Sequence, residues 1–392
     1  MLKQPINITG VASISPLGST EEEIQKALSS TDHLLTFEQG VWGGRLAPGI
    51  AEEVAKLKDE RSVYRRLDPT VLYGLYAGRL LQEKYPLDTT KRTGINLGSS
   101  RGATSIWEHH HAQFIQDEKL SASASPSTTL GNLSTWLADD LAVNGPVLTH
   151  SITCSTALHS LLNGVAWLQA DMTDVFLAGG SEAPLTPFTL AQMKALKLTS
   201  PHLEDQDFGP FPCRALDLSK NANQLILGEG AGLFRLEKAS SNPVIARIVG
   251  IGYSTEVLES AAGLSIEADC FQRSMAQALG ALPPEEVDAV VLHAPGTLKG
   301  DRAEVSAIQK VFCNKTPYLT THKWKIGHTF GASGIFSLLQ AIHMLDSNEP
   351  SPLPYSVAAE PDFINASPGQ IDYVLVNAVG FGGNAVSILL SK

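Results

Sequence analysis

"NGPVLTHSITCSTALHSLLNGVAWLQ", residues 144–169, compresses a Gly-Pro turn, a short apolar run, a cysteine and a helical pattern into one stretch. Val147 and Leu148 read as a strand, while Leu158, Leu161, Leu162, Val165 and Leu168 recur at helical spacing. Cys154 falls on the junction between them. There the unpaired N–H groups and the positive end of a helix favour negative charge. The expectation is a thiol of lowered pKa, available as thiolate near neutral pH. Against it stands a buried, inert thiol, because unpaired cysteine is among the most buried residue types.

The same alternation of short β-rich runs and longer helical patterns continues along the chain. "INITGVASIS" (6–15) opens it as a strand, and "TEEEIQKALSS" (20–30) follows as a helix with Thr20 as N-cap and acids in the first turn. "VFLAGG" (175–180), "PVIARIVGIGYS" (243–254), "DAVVLHAP" (288–295) and "DYVLVNAVGFGG" (372–383) are near-continuous apolar strands. Such runs belong to sheets covered on both faces, so the fold class is α/β and layered. A second strand–helix series begins after "EKASSNP" (237–243), which divides the chain into 1–238 and 239–392.

With 392 residues, 43% hydrophobic and 18% charged, the composition is that of a globular protein with room for two cores. No apolar run approaches the ~18–20 residues that span a bilayer, and the N-terminus lacks a signal-peptide pattern, so a cytoplasmic location is expected. Four dispersed cysteines without a CxxC pair indicate neither a disulfide framework nor a zinc site. A net charge of −11 argues against general nucleic-acid binding.

Two histidine segments raise the odds for Cys154. "LHAPGTLKGD" puts His293 at a strand's C-terminal end, and "THKWKIGHTFGASG" puts His328 between glycine-bearing turns before an apolar helix, five residues after Lys323. Strand ends in α/β sheets are where catalytic groups gather.

"TCSTALH" (153–159), "GGSEAP" (179–184), "GEGAG" (228–232), "HAPGTLKGD" (293–301), "KWKIGHTFGASG" (323–334) and "GFGGNA" (380–385), after the opening "ITGVASISPLG" (8–18), follow one order. In that order the chain resembles the β-ketoacyl-ACP synthases of the thiolase fold. The resemblance implies an αβαβα sandwich of two related halves, usually dimeric, with a Cys-His-His site of the elongating type and no cofactor or metal. By that likeness Cys154 takes the acyl group from acyl-ACP. His293 and His328 present N–H donors to the enolate left when malonyl-ACP loses CO2, and the backbone N–H groups of Cys154 and Phe381 receive the acyl oxyanion. Phe381 gates the acyl pocket. Thr297 and Gly382 join it as substrate-binding residues, and Lys323 orients the surroundings of His328.

Several positions depart from the family. Ser337 stands where a glutamate near the lysine is usual, and Pro295 replaces a threonine. "GFGGNA" lacks a threonine before its asparagine, and "CRALDLSKNANQLILGEGAG" (213–232) is longer than the usual segment. A buried lysine without an acid partner is costly. These changes point to a divergent branch, in polyene or polyketide synthesis rather than housekeeping fatty-acid synthesis. Arg61, Arg65 and Arg66, ahead of an amphipathic helix, correspond to the segment that docks the acidic carrier; a solvated helix start is the bland alternative. "HHH" (109–111) reads as solvated or structural, because consecutive helical residues point in different directions. "GEGAG" lacks phosphate-loop spacing and leads into a strand, "LFRLE". The competing function is a non-catalytic partner subunit of chain-length-factor type, so the partner is a second copy or a related subunit. A degradative thiolase would need a further cysteine near the C-terminus, and none follows Cys313.

Overall fold

The computed structural model describes residues 2–207, 209–240, 242–257, 265, 267–313, 315–357 and 367–392. Ten strands form its main sheet: β1 (Ile6–Ile14), β2 (Thr93–Gly98), β3 (Val147–Leu148), β4 (Val175–Glu182), β5 (Gly230–Glu237), β6 (Ala246–Thr255), β7 (Ala289–Val291), β8 (Tyr318–Thr320), β9 (Tyr373–Gly380) and β10 (Asn384–Ser391). In space they run β8-β7-β9-β10-β6-β1-β5-β4-β2-β3. The first five therefore lie in the order 3-2-4-5-1, and the second five repeat it. Pairing senses repeat too: β3, β2 and β4 are parallel, as are β8, β7 and β9, while the last two pairings of each set are antiparallel. Among the described residues the two sets pair where Ile6, Asn7 and Ile8 meet Ile248, Arg247 and Ala246.

Eight helices carry the argument: α1 (Glu21–Ser29), α2 (Pro69–Lys84), α3 (Thr104–Asp117), α4 (Thr156–Gln169), α5 (Pro187–Ala195), α6 (Asp269–Leu279), α7 (Leu298–Val311) and α8 (Ser333–Ser347). Leu158, Leu161 and Leu168 of α4 share one core with Ile335, Phe336 and Leu338 of α8 and with strands of both sets. A helix that is apolar nearly all round, as α8 is, belongs inside. Leu72, Leu75 and Leu81 of α2 pack the outer face of the first set, and Phe271, Met275 and Ile308 of α6 and α7 that of the second. The layers are helix, sheet, helix, sheet, helix: a thiolase-like sandwich.

The sequence reading overreached in places. Residues 288–295 give only a three-residue β7, and the run before Cys154 gives only β3, a two-residue edge strand. The helix after Arg66 is less amphipathic than expected, since Gly74 and Gly78 let α2 lie close against Leu97, Leu133 and Leu137. Thr20 does cap α1, in a reciprocal box with Glu23.

Candidate active site

Cys154 lies in the loop between β3 and the start of α4 at Thr156. Thr153 before it has φ +47°, Ala294 after His293 has φ +21°, and Phe330, two beyond His328, has φ +41°. Left-handed backbone costs a non-glycine residue roughly 1–2 kcal/mol. Each of the three chemical groups thus sits beside a strained residue, which surrounding structure must hold in place.

Interlocking loops do so. A side chain at Gly380 would overlap Thr153 Oγ1 and press on the Ile152 carbonyl, so only glycine lets the 380–383 loop lie on the cysteine loop. Thr153 Oγ1 donates to the Phe381 carbonyl at 3.4 Å. On the histidine side, the backbone N–H of His328 donates to the Ile226 carbonyl at 2.7 Å. His293 and Ala294 donate their amides to the two carboxylate oxygens of Glu304 on α7, at 2.9 and 2.8 Å.

The result is one cavity of about 180 Å³ lined by Cys154, His293, His328, Phe381, Thr297 and Pro295, among others. The two imidazoles meet edge to face, centroids 5.2 Å apart at 84°. Both are buried, and Nδ1 of each has no hydrogen-bond partner among the described residues. Burial first, then the Lys323 charge, pushes both well below the usual histidine range, so the rings are neutral at pH 7. Thr297 also caps α7, its Oγ1 accepting from the Gly300 N–H at 3.2 Å. Gly382 is outside the lining, at φ +88° in the loop beside Phe381.

The thiol differs from the expectation. Burial, then the Glu182 carboxylate, pushes Cys154 up to about 12, against smaller downward pulls from Lys323 and Arg101. Cys154 precedes the helix proper and is buried, so desolvation of the thiolate outweighs the helix terminus. The resting group is the thiol.

Lys323 is buried, and its Nζ has no hydrogen-bond partner among the described residues. Burial lowers its pKa, and Glu304 opposes that most strongly. Ser337 does not reach it: its hydroxyl donates back to the Ser333 carbonyl at 3.4 Å, one turn earlier. Lys325 has another task. It donates Nζ to the carbonyls of Ala27, Ser30 and Asp32, closing the C-terminal end of α1.

Other singled-out residues lie elsewhere. Arg61 pairs with Asp139 at 2.6 Å and Arg65 with Asp59 at 3.6 Å, while exposed Arg66 has no ion pair among the described residues. His111 stacks on Trp107 at 5.0 Å, and no group of metal-ligating side chains occurs among the described residues. Cys213 and Cys270 are buried and Cys313 is exposed. No helix among the described residues is long and apolar enough to cross a membrane.

Two buried acids escaped the sequence reading. Glu304 was legible in principle: Asp301, Glu304, Val305 and Ile308 form the inward stripe of α7, and an acid on such a stripe needs a partner. Asp301 finds Lys220 at 2.7 Å. Glu182, ending β4, accepts from Ser99 Oγ at 2.7 Å, from the Arg101 N–H at 3.1 Å and from the Ser100 N–H. It ties the loop after β2 to the end of β4, and burial raises it to about 7.

Comparison with known proteins agrees with this layout. A 3-oxoacyl-[acyl-carrier-protein] synthase 2 of Vibrio cholerae is 25% identical over 427 residues, covering 100% of both chains. The ishigamide ketosynthase/chain length factor superposes with a TM-score of 0.85 at 19% identity, over 99% of each chain. A β-ketoacyl synthase from Burkholderia phymatum gives 0.84 at 22%, again over 99% of each. Models of the β-ketoacyl synthase N-terminal and C-terminal domains match residues 3–242 and 245–353, and with them, the sandwich and the shared cavity, the chain belongs to the β-ketoacyl synthase family.

Proposed function

We propose that this protein is an elongating β-ketoacyl-ACP synthase, condensing an acyl thioester with malonyl-ACP in fatty-acid, polyene or polyketide-type synthesis. The observation that carries it is the single cavity shared by Cys154, His293 and His328. Sγ of Cys154 attacks the acyl carbonyl, and the carrier departs as a thiol with the proton that Cys154 gives up. Because that proton is tightly held, its removal accompanies attack, and the neutral imidazoles are the bases at hand. The backbone N–H groups of Cys154 and Phe381 receive the oxyanion. Malonyl-ACP then loses CO2, and the N–H donors of His293 and His328 hold the enolate oxygen. The enolate carbon attacks the acyl-cysteine, releasing a chain two carbons longer and the Cys154 thiolate, which takes up a proton from water. One lost oxyanion donor typically costs ~10²–10³ in rate.

Phe381, Thr297 and Gly382 are assigned to substrate binding and Lys323 to holding both rings neutral. Arg66, lacking an acid partner among the described residues, is the strongest of the three arginines for docking the acidic carrier, where it would act mainly on encounter rate. The protein pairs with a second copy or a related subunit. Residues 1–238 and 239–392 are its two halves, supported by the repeated strand order. A cytoplasmic location belongs to the same reading.

The test gives the purified protein acyl-ACP and malonyl-ACP beside a Cys154→Ala variant. The parent alone should carry an acyl adduct on Cys154 and form β-ketoacyl product. A second reading, a partner subunit of chain-length-factor type, is favoured by Lys323 without a hydrogen-bond partner and by a thiol held protonated. A parent that takes up no acyl group, even beside a co-expressed homologue, decides for it.

A further inference from the structure

The loop that carries His293 is clamped from α7. Glu304 accepts the N–H groups of His293 and Ala294, at 2.9 and 2.8 Å. Oδ1 of Asp301, on the same helix, accepts those of Gly296 and Thr297, at 3.0 and 3.2 Å. Pro295 between them has no N–H to give. Every amide of residues 293–297 is therefore held by one of two buried carboxylates. Ala294, at φ +21°, keeps a conformation that only such clamps sustain.

Asp301 has a cation in direct contact. Lys220 donates Nζ to Asp301 Oδ2 at 2.7 Å and to the Asp217 carbonyl at 2.9 Å, and both side chains of the ion pair are buried. The Leu216 N–H donates to the same Oδ2 at 2.8 Å. Lys220 thus belongs to the segment that supplies Asn223 and Leu225 to the cavity wall, while Asp301 serves the segment that supplies His293, Pro295 and Thr297. Two further bonds stitch these walls together: the Gln224 N–H donates to the Gly296 carbonyl at 2.8 Å, and the Leu298 N–H to Asn223 Oδ1 at 2.8 Å. Lys220 itself is outside the cavity lining. Taking one partner from a buried ion pair leaves an uncompensated charge. The Asp301 carboxylate would then turn toward water and slacken its hold on Gly296 and Thr297.

We infer that Lys220 is a positioning residue for the malonyl half of the reaction: through Asp301 it fixes the 293–297 loop so that the His293 ring meets the enolate oxygen. The inference rests on the ketosynthase reading of the cavity. Acyl loading depends on other supports, because the Cys154 loop leans on the 380–383 loop and His328 is held by the Ile226 carbonyl.

The test gives wild-type and Lys220→Met protein octanoyl-ACP and follows the Cys154 adduct by intact mass, then adds malonyl-ACP to the loaded protein and follows β-ketoacyl product. Loading by the variant should stay within about twofold of wild type, while kcat for condensation falls at least about tenfold, since a misplacement of about 1 Å costs as much as ~10²-fold. Lys220→Arg should recover most of the loss, because it returns a cation to Asp301. If Lys220→Met does not fold, Lys220→Gln gives the same readout. Unchanged condensation overturns the inference, and so does an arginine variant no better than the methionine one. Loading and condensation that fall by the same factor also overturn it, as does failure of both neutral variants to fold, since the pair would then serve stability alone. In all of these the wild type still loads and condenses. A wild type that takes up no octanoyl group, or loads and forms no product, removes the ketosynthase reading and this inference with it.

Discussion

Lys323 shows how one buried charge sets the protonation of its neighbours. It lowers both His293 and His328, after burial itself. Lys323→Met removes that repulsion, so both rings take up protons at higher pH than before. A neutral ring is the form proposed to act, so the acid side of the activity profile should move upward in pH. Measuring β-ketoacyl product between pH 5 and pH 9 checks it, and an unmoved acid limb would contradict the role. Cys154 makes the complementary case, because its sequence position predicts an acidified thiol and its burial yields the opposite.

At the scale of elements, α1 is held at both ends by side chains. Thr20 and Glu23 cap its start, and Lys325 reaches across the fold to the carbonyls at its end. Thr20→Ala should cost about 1 kcal/mol of unfolding free energy. Lys325→Met should cost more, since it leaves carbonyls beneath the protein surface without a donor. Neither should change the fraction of folded protein acylated at Cys154, whereas Lys323→Met should lower it. Urea titration with adduct mass separates the two lysines, which lie in one short helical turn and which spacing alone distinguishes only weakly.

The whole molecule carries an uneven set of buried titratable groups. His293, His322 and His328 are driven well below the usual histidine range by burial, and His150 to about 4. Their folded values are depressed, so the stability they contribute is present above about pH 6.5 and is lost as pH falls, when the unfolded chain binds protons that the native state refuses. Glu182 and Glu304 are raised and act oppositely, their contribution being lost as pH rises through about 7 for Glu182. His33, His159 and His343 are depressed as well, and Asp68 and Glu229 are raised, so seven depressed histidines against four raised acids among the described residues predict a urea midpoint that falls from pH 7 to pH 5. His322→Phe, outside the cavity lining, should flatten that slope, about 1.4 kcal/mol being at stake per unit of depressed pKa. An unchanged slope would show that His322 does not stay neutral in the fold.

Much was legible before any coordinates. Periodicity gave α4, β4, β9 and the capped α1, because apolar spacing and capping are local facts of the chain. Motif order gave the cysteine, both histidines and the family. Tertiary structure alone decided the rest. The repeated 3-2-4-5-1 strand order needs pairings between residues hundreds of positions apart. Glu304 and Glu182 became visible only when their backbone partners arrived from other segments. The thiol's pKa and the burial of the Lys220–Asp301 pair follow from how much water the finished packing excludes, and exclusion of water is a property of the assembled fold.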